Sequence, residues 1–143
     1  MAIKSGLRTL LLAEATITAL CPAQTLKGVS RDSIFVDKAA QGAKPPFIII
    51  SRIGSDPLLA LDGTYGMRST EIDIDCYEAT GPEAESLATA VSNYLDDYSG
   101  AAGGSDTIDA VLLDDTNDFL VPEEDGKDNI RHVVTLSFTI QHH

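Results

Sequence analysis

The sequence is poor in the groups from which active sites are usually built. Its three histidines, His132, His142 and His143, all stand near the C-terminal end. His142 and His143 read as tail residues, native or tag-derived. A Ser–His–Asp or Cys–His arrangement would therefore have to use His132, and no nucleophile signature accompanies any Ser or Cys. Two cysteines, Cys21 and Cys76, are too few for a disulfide scaffold and read as reduced thiols. Cys76 falls on the apolar side of a strand pattern, as a small core residue would. No apolar run approaches the roughly 20 residues of a membrane span, and even the strongly apolar Phe47–Ile50 is short. The N-terminal stretch superficially resembles a secretory leader, with Lys4 and Arg8 before a leucine run. Glu14 and several threonines interrupt that run, so an amphipathic helix is the expected form.

Positive charge is scarce, and unevenly so. Residues 1–70 carry eight Lys/Arg and five Asp/Glu, whereas residues 71–143 carry 17 acids against only Lys127 and Arg131. The net charge is -12. Binding to a phosphate backbone needs a clustered basic surface, so the balance argues against a nucleic-acid-binding domain. An acidic face keeps a protein soluble and repels polyanions.

What is present suits one domain over residues 1–143, with 43% apolar residues and no need of a metal or disulfide to fold. Ser5 is placed to cap a first helix along Leu7, Leu10, Leu11, Ile17 and Leu20, which Pro22 ends. Strands are expected at Ser33–Asp37, at Phe47–Ile53 (buried on both faces), at Met67–Glu78, at Thr107–Leu113 and at Ile130–Gln141. In Met67–Glu78, Ile72, Ile74 and Cys76 alternate with Glu71, Asp73, Asp75 and Tyr77. A second helix follows Thr80-Gly81-Pro82, with Ala84, Leu87, Ala88, Val91 and Leu95 as its apolar stripe. Lys38–Lys44, Gly54–Gly66, Gly100–Ser105 and Asp114–Asn129 read as loops. The order α-β-β-β-α-β-β predicts an α+β fold: a mainly antiparallel sheet of about four to five strands with two helices on one face.

Glu71, Asp73 and Asp75 are the best catalytic candidates, since carboxylates two apart on a strand face hold divalent cations in some nucleases. A solvated strand face explains the same alternation. The acidic runs Asp114–Asp118 and Glu123–Asp128 lack the ligand order of a calcium loop. Two apolar clusters in otherwise polar connections, Leu58, Leu59 and Leu61, and Phe119, Leu120 and Val121, read either as contact sites or as segments folded onto the core.

The whole-chain pattern resembles a known family. A Leu- and Thr-rich helix ends at a proline, and a strand enters through Pro45-Pro46-Phe47-Ile48-Ile49-Ile50. A long connection leads to Ile72-Asp73-Ile74-Asp75-Cys76-Tyr77-Glu78-Ala79-Thr80, and a helix opens with Glu83-Ala84-Glu85-Ser86-Leu87-Ala88. This resembles the tail terminator, or tail completion, proteins of long-tailed bacteriophages and related particles. The resemblance implies a structural virion protein and no enzyme, with no cofactor and no catalytic residues. It implies self-assembly into a ring, usually of six, at the tail–neck junction. That ring caps the tail tube, stops its growth and joins a head-completion or connector protein, with DNA only in passage and no membrane. On this reading Glu71, Asp73, Asp75, Asp114, Asp115 and Asp118 are candidates to face the channel. The rival readings are another neck ring, a metal-dependent enzyme using Asp73 and Asp75, and a monomeric acidic adaptor.

Overall fold

A computed structural model describes residues 3–26, 28–38, 43–57, 68–78, 80–96, 98–101, 107–122 and 130–142. The elements in chain order are α1 (Ile3–Ala13), α2 (Ala15–Leu20), β1 (Gln24–Leu26), β2 (Val29–Arg31), β3 (Ile34–Val36), β4 (Phe47–Pro57), β5 (Arg68–Glu78), α3 (Gly81–Leu95), β6 (Gly100–Ala101), β7 (Thr107–Pro122) and β8 (Ile130–His142). Among the described residues the main sheet has six strands in the order β3-β4-β5-β8-β7-β6, and β1-β2 form a separate hairpin. Every pairing is antiparallel except β3 with β4.

The mixed α+β class is as expected, but strand number and order differ, and the first helix is two. Buried positions Ile3, Leu7 and Leu11 keep a spacing of four. The next buried residue, Ile17, lies six further on, a step that a continuous helix does not place on one face. The break is at Glu14, whose backbone is extended and whose carboxylate accepts from Thr16 N at 3.3 Å, capping α2. Ser5 lies inside α1 rather than capping it.

The core sits between the helices and one sheet face. Leu7, Leu11, Ile17, Leu87, Val91 and Leu95 pack there on Ile48, Ile50, Ile72, Ile74, Leu136 and Phe138, all fully or almost fully buried. All five stripe residues expected in α3 are buried. Thr80 caps it, accepting from Glu83 N at 3.4 Å, and Pro82 occupies its first turn. Cys76 is a core residue, and the thiols of Cys21 and Cys76 are free and buried.

Three further expectations are corrected. Asp114–Pro122 is not loop, because β7 runs on to Pro122 against β8. β4 is not buried on both faces throughout: Phe47 is buried and Ile49 half-buried, but Arg52 and Ile53 are exposed at a bulge. His142 is no loose tail residue. It is 2% exposed in β8, its Nε2 hydrogen-bonded to Thr70 Oγ1 at 2.7 Å.

Candidate functional site: the acid–hydroxyl face of the sheet

The sheet face turned away from the helices follows from register. Across β5 and β8, Asp75 opposes Thr135, Asp73 opposes Ser137 and Glu71 opposes Thr139. Asp115 of β7 opposes Ser137 from the other side. Asp114 is the extra residue of a β-bulge between Leu113 and Asp115. A bulge re-aims its side chain, and this one brings the Asp114 carboxylate within hydrogen-bonding reach of Thr139 Oγ1, which donates to it.

The contacts are regular. Thr135 Oγ1 donates to Asp75 Oδ1 at 2.7 Å, and Ser137 Oγ donates to Asp73 Oδ1 at 2.8 Å. A hydroxyl has one proton to donate. Each of these three gives it to a carboxylate, so their outward lone pairs are acceptors. Burial pushes the Asp75 carboxyl above the usual carboxylate range, and the charge of Asp73 adds to this against the opposing hydrogen bond from Thr135. At one end this polar face gives way to an aromatic group. Phe47 stacks on Tyr77 with ring centroids 4.6 Å apart, and Phe35 meets Phe47 edge-on at 6.1 Å.

Five of the six acids singled out in the sequence therefore share one face. Asp118 does not join them. It opposes Val134 on the helix-bearing face, three residues after Asp115 and so out of phase with it. Among the described residues no three His, Cys, Asp or Glu are grouped to hold a metal ion. Leu120 is 59% exposed on β7. Phe119 and Val121 lie on the same strand, while Leu58, Leu59, Leu61 and Glu123–Asp128 fall outside the described residues. The hydroxyls that complete the acidic face are legible in the sequence, in the alternation of Thr135, Ser137 and Thr139 with Val134, Leu136 and Phe138, and register sets them opposite the acids of β5.

Residues 5–141 match the family described as tail completion protein gp17. The chain belongs to this family. Membership makes it a structural tail protein. Among solved structures, a chain of the virion of a native gene transfer agent particle is similar at a TM-score of 0.65 and 17% identity, covering 99% of this chain and 95% of that one. That likeness is one of fold. Comparison with curated protein sequences gives no match.

Proposed function

We propose that copies of this chain close into a ring, six being the usual number, that caps the finished tail tube and ends its growth. The ring joins the tube to the head-completion or connector protein and lets DNA through its bore. The protein then resides in the virion at the tail–neck junction and acts by geometry, not by catalysis. The observation that carries this reading is the family match over residues 5–141.

The acid–hydroxyl face gives the reading a physical content. A bore that must pass DNA should not hold it, and a basic bore would bind phosphates by counterion release. In this proposal Glu71, Asp73, Asp75, Asp114 and Asp115 face the bore. Their carboxylates repel phosphate, and the hydroxyl protons are committed to carboxylates, away from phosphate oxygens. Phosphate recognition draws on exactly such donors, together with Lys and Arg.

Electron microscopy of the purified chain, alone and with tail tubes, tests the proposal. Rings at one end of tubes of uniform length are expected. Monomers that leave tubes growing, or particles whose neck lacks this polypeptide, would overturn it. A ring that binds the connector but never the tube would instead make it another neck ring.

A further inference from the structure

The sheet order converts the charge asymmetry of the sequence into a spatial one. The first half of the chain supplies β3 and β4 at one edge of the sheet, and the second half supplies β7 and β6 at the other. Each side carries an unfinished feature.

At the acidic side, β6 pairs with β7 only at Thr107 and Ile108. Among the described residues no strand covers the outer edge of β7 from Ala110 to Pro122. An uncovered edge presents a row of backbone donors and acceptors to any incoming strand. Here Asp114, Asp115 and Asp118 are all exposed, so two β7 edges repel each other and like-to-like pairing is disfavoured. Beside this edge, a cleft of about 210 Å³ opens at the start of α3, lined by Gly81, Ala84, Glu85, Asp118, Leu120 and His132.

At the basic side, the β1–β2 hairpin stands apart from the main sheet. Its base is fixed to the body: Gln24 Nε2 donates to Ser33 Oγ at 3.0 Å and to Lys44 O at 3.1 Å, and Lys44 N donates back to Gln24 Oε1 at 3.0 Å. Val29, Ser30 and Arg31 are all exposed, Val29 by 52%. Residues 24–31 include Lys27 and Arg31 and no acid. A lone two-stranded hairpin is marginal in water without something to pack on.

We propose that β2 of one copy adds, antiparallel, to the free edge of β7 in the next copy, with Val29 beside Leu120 and Arg31 beside Asp118. The register follows from side-chain phase. Val29 and Arg31 share one face of β2, and Leu120 and Asp118 share one face of β7 with the same two-residue spacing. This sets an exposed valine on an exposed leucine and directs the guanidinium into a cleft flanked by Asp118 and Glu85. The pairing is between molecules, because the hairpin leads into β3, four strand spacings from β7, or roughly 19 Å. One patch meets a different patch on the neighbour, a head-to-tail contact that closes into a ring when the rotation permits. The acids on the edge thus reject the wrong partner and attract the right one.

This inference rests on the ring reading, and its test separates the two. In the full chain, Val29→Cys combined with Leu120→Cys is oxidised under ring-forming conditions, with tubes added where rings need them. The native thiols are buried and stay out of the reaction. A ladder of covalent oligomers ending at the ring number is expected, and Val29→Cys with Asp115→Cys, on the opposite face, should give none. Arg31→Glu should lower ring yield at least tenfold while circular dichroism stays native, and adding Asp118→Arg should restore it. Rings without the ladder, or rings unaffected by Arg31→Glu, overturn the strand addition and leave the ring standing. Absence of rings alone and on tubes overturns both.

Discussion

Thr135 Oγ1 donates to Asp75 Oδ1 at 2.7 Å across the β5–β8 pair, and this contact holds a carboxylate that burial otherwise disfavours. The Asp75 carboxyl is raised in the folded protein, so the unfolded chain gives up its proton first as pH rises. Stability attached to this group is present below the ordinary aspartate value of about 3.9 and is lost as pH climbs through the raised folded value. Asp75→Asn keeps an acceptor for Thr135 and removes the charge. The variant should melt above the parent at pH 7, and the difference should vanish near pH 3. Thermal midpoints of both proteins at the two pH values check this, and equal midpoints at pH 7 would refute it.

Burial also governs the thiols. Cys21 is 3% exposed and its thiol is pushed up to about 12 by burial, with Glu78 adding to the effect. Cys76 is fully buried and its thiol is raised in the same direction, chiefly by burial. The thiolate is the reactive form. At pH 8 a disulfide reagent should label neither cysteine faster than the protein unfolds, and both should react at once in denaturant. Rapid labelling of one thiol in the native protein would show that its segment opens locally.

What the sequence revealed divides along physical lines. Thr80, Pro82 and the stripe Ala84, Leu87, Ala88, Val91 and Leu95 are local signals, and α3 was legible from them. The period of two in β5 and β8 was equally clear, and it placed Asp73 and Asp75 on the open face. The second half of β7 was hidden by two effects. Its bulge between Leu113 and Asp115 reverses the in–out phase, so no single alternation spans Val111 to Leu120. Its Asp114-Asp115-Thr116-Asn117-Asp118 run favours turns by local propensity, and only the long partner β8 overrides that preference. The β1–β2 hairpin carries no alternation, because β2 is exposed on both faces. The parallel pairing of β3 with β4, sealed by Ile48 N to Ser33 O at 2.8 Å and Asp37 N to Ile50 O at 2.9 Å, is a tertiary outcome without a local code.

The end of β8 is tied to the start of β5. Thr70 is fully buried, and its hydroxyl lies 2.7 Å from the Nε2 of buried His142. Losing one partner of a buried hydrogen bond costs about 1–3 kcal/mol. Thr70→Val, close in shape, should lower unfolding stability by about that amount, whereas Thr70→Ser should cost less because it keeps the hydroxyl. Urea denaturation of the three proteins measures the difference. Equal losses for both variants would assign the cost to packing and not to the hydrogen bond.

The acidic face makes its own prediction about transport. Glu71 and Asp115 are exposed, and no hydrogen bond from Ser137 or Thr139 reaches them in the way it reaches Asp73 and Asp114. Glu71→Lys with Asp115→Lys therefore changes surface charge while sparing the hydroxyl contacts, and exposed substitutions of this kind usually alter stability by no more than about 0.5 kcal/mol. In the proposed ring, each lysine becomes a circle of positive charge able to bind phosphate. Particles built with the double variant should assemble with normal tails but release DNA more slowly. The delay should shrink as salt is raised, because counterion release weakens with ionic strength. Time-resolved release at low and high salt reads this directly. A normal release rate at low salt from fully assembled particles would place this face away from the DNA path.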